Sequence, residues 1–155
     1  ADAVARAARY YPEGHRGVGG GRAHDYGVGT TRDESTAWIN SQMLVIPTVE
    51  ETEAVENLDA ILSVPGVDVL HVAAGDLGQS MGNPGPGDVR RLMSQVVPKI
   101  RSGGINVGVG GNNPADAAGI AEFIKLGANF VTVSAQGLLR LGAEDFRKRV
   151  DAALQ

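Results

Sequence analysis

The chain has 155 residues, enough for one domain with a sizeable core. A net charge of −4, from 14 basic and 18 acidic side chains with no basic run, gives no electrostatic reason to expect nucleic acid. Cysteine is absent, which removes disulfides and thiolate chemistry, and no apolar run has the length of a membrane span. With no signal-peptide pattern at its start, the chain is expected in the cytoplasm. The 22 glycines, in no collagen-like period, predict many tight loops of the kind α/β folds use.

The opening "ADAVARAARYY" reads as a helix already under way, without an initiator Met or a cap. Ala3, Ala7 and Tyr10 or Tyr11 fall at helical spacing, with Asp2, Arg6 and Arg9 off that stripe. Such a start suggests a chain cut from something longer rather than a processed N-terminus. After the glycine-rich "YYPEGHRGVGGGRAHDYGVG", Thr31 and Glu34 form a capping-box pattern that starts a helix through about Gln42. The strand "MLVIPTV" follows, then the helix "ETEAVENLDAILS" with Ala54, Leu58, Ile61 and Leu62 on one face.

"VPG" turns the chain into the strand "VDVLHVAA" and a short loop holding Asp76. A long helix is predicted from about Pro86 to Ser102, striped by Val89, Leu92, Met93, Val96, Val97 and Ile100. "INVGVGG" is a third strand, and Asn113 with Pro114 suits the N-cap and first turn of a helix ending near Leu126. "ANFVTVS" is a fourth strand, and a terminal helix carries Phe146, Val150 and Leu154 at four-residue spacing.

Strand and helix thus alternate four times, and each strand is a nearly continuous apolar run. Such strands are expected to be buried on both faces, in a parallel sheet with helices outside. Two closures fit, an open doubly wound sheet and half of an eight-stranded (β/α) barrel, whose full length is roughly 250 residues. The mid-helix start favours the half barrel, with residues 1–155 as a single domain of four βα units.

In either closure ligands bind at the carboxyl ends of the strands. Glu50 and Asp76 both lie there, on strands consecutive in sequence, and neighbouring strands sit about 4.8 Å apart. Two carboxylates so placed could converge on one hard divalent ion, Mg²⁺ or Mn²⁺, leaving coordination positions for water and substrate. Each also precedes a helical stretch whose N-terminus welcomes negative charge, so spacing alone leaves a capping role open.

Several motifs bear on that choice. "GHRGVGGGRAHDYG", "VIPTVEETEAVENLDAILSVPGVDVL", "AAGDLGQSMGNPG" and "GVGG" occur in this order along the chain. In order and spacing they resemble the C-terminal half of the HpcH/HpaI aldolase–citrate lyase family, the pyruvate-dependent class II aldolases. The resemblance implies the second half of a (β/α)8 TIM barrel of the phosphoenolpyruvate/pyruvate-binding type. It implies that Glu50 and Asp76 hold a divalent metal (Mg²⁺, Mn²⁺ or Co²⁺), which chelates pyruvate or a 2-oxo acid and acts as a Lewis acid for an enolate. The expected reaction is cleavage or formation of 2-oxo-4-hydroxy acids, with an aldehyde as the second substrate. Backbone N–H groups of Ala74 and Gly75 would hold the oxo-acid carboxylate, and Arg22 resembles an arginine near the aldehyde part. The family's assemblies are homo-oligomers with swapped C-terminal helices, a use that would suit the Phe146–Val150–Leu154 face.

The departures are specific. Thr48 stands where the family has Gln in Gln-x-Glu, and "AAGD" replaces "GPxD". No segment matches those that carry the family's catalytic His and pyruvate-binding Arg. A rival expectation is therefore a catalytically incomplete half-barrel that binds an oxo acid or a partner subunit. Among the other polar residues, His71 reads as a hydrogen-bonded histidine of the barrel core. His15 and His24 read as loop residues, Ser134 as a polar lining residue, and Arg22 as either a substrate contact or half of an ion pair.

Overall fold

The computed structural model describes residues 1–155, the side chain of Asn112 excepted. Strands β1 (Thr48–Val49), β2 (Val69–Ala73), β3 (Asn106–Asn112) and β4 (Phe130–Val133) form one parallel sheet in the order β1-β2-β3-β4. Parallel neighbours need long crossovers, and here every crossover is helical. Helices α1 (Asp2–Ala8) and α2 (Arg32–Gln42) precede the sheet. Helices α3 (Thr52–Glu56) and α4 (Leu58–Leu62) lead into β2, α5 (Ala74–Ser80) and α6 (Pro86–Ser102) into β3, and α7 (Ala117–Lys125) into β4. Helix α8 (Ala135–Ala153) follows the last strand.

Alternation along the strands sends Val49, Leu70, Val72, Val107 and Val109 to the helical side. There they meet the predicted stripe of α6, with Val97 and Ile100 wholly buried, together with Leu58, Leu77 and Phe123. Each such side chain contributes about 1.5–3 kcal/mol on burial. The opposite face carries Thr48, His71, Gly108, Gly110 and Thr132 and is not covered by helices among the described residues. The expectation of burial on both faces therefore holds on the helical side only. The inner face of a barrel is filled by side chains of strands across the axis, and four strands do not reach that far round.

Other expectations change in detail. The run "MLVIPTV" pairs as a strand only at Thr48–Val49. Pro47 has no N–H to donate, and it joins the sheet through its carbonyl, which accepts from His71 N at 3.0 Å. The helix predicted over residues 51–63 is two short ones that meet at Asn57 (φ −92°, ψ 14°). Asp76 lies in the first turn of α5 rather than in a loop. Helix α7 starts later than predicted. Its N-cap is Asp116, which accepts from Gly119 N at 2.9 Å, while Asn113 turns back on itself to accept from Ala115 N at 3.0 Å. The capping box of Thr31 and Glu34 is present as predicted.

The N-terminal stripe is displaced: Ala5, Arg9 and Tyr10 are buried, whereas Ala3 and Ala7 are exposed. Arg9 is the reason. Its guanidinium donates to Gly66 O and pairs with Asp68 at 2.9 Å, and the same Asp68 oxygen accepts from Val45 N at 2.7 Å. Arg9 thus ties α1 to the amino-terminal ends of β1 and β2. Replacing Arg9 with Met leaves Asp68 half-buried without its cation. Because Asp68 keeps some water, the expected loss is about 2 kcal/mol, below the range for fully buried pairs, read as a lower urea midpoint at unchanged slope.

Candidate functional site

Glu50 follows β1 and Asp76 follows β2, so parallel pairing brings both to the carboxyl edge of the sheet. They line one cleft of about 510 Å³ together with Glu51, Gln79 and Ser80. Both are exposed, and neither makes a hydrogen bond or ion pair among the described residues. Neither forms a side-chain cap, although Asp76 stands in the first turn of α5, where a helix N-terminus favours negative charge. The start of α3 is served instead by Ser80, whose Oγ accepts from Thr52 N at 2.9 Å and lies 3.4 Å from Thr52 Oγ1. That contact crosses between the two carboxylate-bearing segments and holds the Glu50 loop against α5. No group of three or more His, Cys, Asp or Glu among the described residues is arranged to hold a metal. What the chain offers an ion is a pair of unpartnered hard oxygen donors, with the remaining positions open.

Thr48 is exposed on the uncovered face, in register opposite His71. Ala74 and Gly75 open α5, where the first N–H groups of a helix have no intrahelical acceptor. A Cβ on Gly111 would sit 3.8 Å from Gly75 N and 3.9 Å from Ala74 N, and Gly111 has φ +70° at an irregular step of the β3–β4 pairing. A second cleft, of about 690 Å³, is lined by Ala74 and Gly75, which do not line the Glu50–Asp76 cleft, and is floored by Val89, Met93 and Phe123. At its mouth Arg90 pairs with Asp116 at 3.2 Å and Glu122 at 3.5 Å, and its guanidinium lies 5.5 Å from the centre of the Phe123 ring.

Arg22 begins a 3₁₀ turn (Arg22–Gly27), is exposed, and forms no ion pair among the described residues, so the ion-pair reading is not realised. It does not line the Glu50–Asp76 cleft. His24 is a loop-fixing residue: Nδ1 meets Ser35 Oγ at 2.7 Å and Nε2 meets Tyr10 OH at 3.2 Å. His15 is exposed. Ser134 is an N-cap rather than a lining residue, its Oγ accepting from Gly137 N at 3.1 Å.

His71 is half-buried, with Nε2 3.1 Å from Thr132 Oγ1 and its ring edge-on to Phe130. Burial lowers its pKa below the usual histidine value. The unfolded chain therefore takes up the proton first. The stabilisation is complete above about pH 6.5 and is lost as the pH falls towards the folded value.

Sequence reasoning did not find the Ser80–Thr52 tie, because nothing local marks a hydrogen bond between segments 28 residues apart. The place prepared for the His71 ring did leave a signal, the alternation Val-Gly-Val-Gly over residues 107–110.

Four parallel strands in chain order, helices on one face and acids at the carboxyl edge define an α/β fold of the (β/α)-barrel class. Solved HpcH/HpaI aldolase structures share it. A family protein from Burkholderia cenocepacia superposes with a TM-score of 0.77 at 30% identity, over 94% of this chain and 58% of that one. An aldolase from Desulfitobacterium hafniense superposes with a TM-score of 0.75 at 27% identity, over 93% and 56%. The sequence model of HpcH/HpaI aldolase/citrate lyase matches residues 1–146, and the chain belongs to that family. Among curated relatives, a 2-keto-3-deoxy-L-rhamnonate aldolase of Klebsiella pneumoniae is 37% identical over 147 residues, covering 93% of this chain and 54% of its own length. The protein of the same name from Salmonella paratyphi B is 35% identical over 155 residues, covering 98% and 57%. The chain spans about half the length of these relatives.

The Ser80 contact is open to test. Ser80→Ala removes the acceptor at the start of α3 and should cost about 1 kcal/mol, as for other lost caps. The amide of Thr52 should exchange with deuterium faster, whereas Ser80→Thr, which keeps the hydroxyl, should leave that amide protected.

Proposed function

We propose that this chain supplies the metal-holding half of an aldolase site that cleaves or forms 2-oxo-4-hydroxy acids through a pyruvate enolate. The observation that carries this reading is the pair Glu50 and Asp76: two carboxylates at adjacent strand ends, in one cleft, without protein partners among the described residues. A divalent ion held between two unpaired carboxylates would be attracted by both. The family and the aldolase names of the relatives support the same reading. The donors are hard oxygens, which suit Mg²⁺ or Mn²⁺, and Co²⁺ is compatible.

Glu50 and Asp76 hold the ion, and Ser80 keeps their two segments in register. When bound, such an ion supplies a Lewis acid for the negative charge that builds on the oxo oxygen as the C3–C4 bond breaks. The N–H groups of Ala74 and Gly75 receive the oxo-acid carboxylate. Thr48 presents a hydroxyl from the next strand, shorter than an amide would be. Arg22, exposed and outside the Glu50–Asp76 cleft, enters this reading only through the resemblance, as a contact to the aldehyde-side substrate. The apolar residues exposed on α8, among them Phe146, Val150 and Leu154, suit contact with a second copy of the protein.

Titrating Mn²⁺ into the chain and into Glu50→Gln and Asp76→Asn tests the metal reading. Wild type should bind one ion, and each variant should lose at least tenfold in affinity; equal affinity in all three would end the assignment. Thr48→Gln should change oxo-acid affinity and leave stability within about 1 kcal/mol, because the position is exposed.

A second reading, an oxo-acid-binding half-barrel without turnover, is favoured by the histidines. His24 is tied to Ser35 and Tyr10, His71 to Thr132, and His15 does not line the carboxylate cleft. A proton acceptor must stand within about 3 Å of the C3 proton, directly or through one water. These 155 residues alone should therefore exchange the C3 protons of pyruvate slowly with Mn²⁺ present. A longer chain that adds a preceding half-barrel should exchange them readily. Fast exchange by the purified 155-residue chain would favour turnover by these residues unaided.

A further inference from the structure

The uncovered face of the sheet has a feature that metal binding does not use. The register pairs Thr48 with His71 and His71 with Gly108, then one step up places Ala73 opposite Gly110. By alternation Glu50 belongs to that upper level, beside Ala73. His71 is rooted in the lower level, but its ring does not stay there. A Cβ on Gly108 would fall 2.7 Å from His71 Cδ2, and one on Gly110 would fall too close to Cε1 for any side chain and 2.7 Å from Nε2. The imidazole therefore climbs diagonally across β3 into space that only glycine at 108 and 110 leaves open. Its tip meets Thr132 Oγ1 on β4 at 3.1 Å, at the height of Glu50 and Ala73. The ring remains partly exposed. A ring needed only for packing would find little reason for two glycines and a hydroxyl partner on the next strand.

We infer that His71, seated on Gly108 and Gly110 and braced by Thr132, is a specificity-determining residue that hydrogen-bonds a hydroxyl on the distal half of a polyhydroxylated 2-oxo acid. The inference rests on the metal-and-oxo-acid reading of Glu50, Asp76, Ala74 and Gly75, which anchors the other end of the substrate on β1 and β2. Gly110 lies two strands from β1, roughly 10 Å away at the usual strand spacing. Measured from the carboxylate anchor that follows β2, one strand or roughly 5 Å from Gly110, an extended six-carbon acid, about 6 Å long, reaches that point with one hydrogen bond of about 2.9 Å. Burial keeps the imidazole neutral near pH 7, so one ring nitrogen donates and the other accepts. Thr132 Oγ1 engages Nε2, so Nδ1 is the nitrogen left for a substrate hydroxyl, itself donor and acceptor, and a methylene in the same place would leave Nδ1 without a partner.

The test compares the Mn²⁺-loaded protein's affinity for a 2-oxo-3-deoxyhexonate and for 2-oxohexanoate, which has the same length and no distal hydroxyls. Wild type should favour the hydroxylated acid. His71→Phe keeps a flat ring on the two glycines and should lose about three- to tenfold for that acid, the cost of one neutral hydrogen bond, with 2-oxohexanoate unchanged. His71→Gln, which restores a donor and an acceptor, should recover part of the loss. Thr132→Val, which unbraces the ring, should show a smaller loss of the same kind. Thermal midpoints and backbone amide spectra establish that each variant is folded. If His71→Phe weakens both acids equally or neither, the inference is overturned while the metal reading stands. Mn²⁺-dependent binding of neither acid by wild type would overturn both.

Discussion

The in-register parallel pairing of β1, β2 and β3 is the constraint on which the rest depends. Thr48 opposite His71, and Val72 opposite Val109, fix which side chains face the helices and which face away. A slip of one residue would turn Leu70, Val72, Val107 and Val109 out of the core and expose apolar surface that α6 now covers. The same register sets the heights of the polar groups. Glu50 and Asp76 reach a common edge only because β1 and β2 run the same way and end together. Helix α6 is therefore as much a part of the site as the acids are, since its buried stripe holds β2 and β3 in place.

How much of this was legible in the sequence depended on range. The capping box at Thr31, the span of α6 and the four strand–helix alternations are local patterns, and the structure has them. The start of α7 was misplaced because Asn113 and Asp116 are both good capping residues, and only the path of the chain out of β3 decides between them. The length of β1 was overstated because an apolar run does not say which of its N–H groups find acceptors, and Pro47 has none to offer. At the N-terminus the error had a different origin. Spacing alone put Ala3 and Ala7 inward, but the charge on Asp68, far along the chain, draws Arg9 in. Of the candidate site, the two acids were legible from strand-end position and motif spacing. The contacts that orient their surroundings, Ser80 with Thr52 and His71 with Thr132, join distant segments and leave at most an indirect trace.

The two ends of β2 give the clearest argument about what each edge of the sheet is for. Asp68 stands just before the strand and Asp76 just after it, carboxylates of the same kind eight positions apart on one element. Asp68 is fully engaged, accepting from Val45 N and paired with a buried guanidinium, and neighbouring Asn106 donates to its carbonyl at 3.0 Å. Asn129 adds a further tie at that edge by accepting from Val107 N at 2.9 Å. There the polar groups close on one another, which is how charge is spent on holding a fold. At the carboxyl edge the protein does the reverse. Asp76 and Glu50 are left without partners, glycines replace side chains at 75, 110 and 111, and the Ser80 hydroxyl, at the far end of the helix that carries Asp76, serves the start of α3. Unpaired charge and missing side chains lower stability locally and add nothing to the core, so their concentration at one edge is what a binding edge requires. Asp68 and Asp76 differ in partners and in burial, and that difference separates the edge that stabilises the fold from the edge proposed to take a ligand.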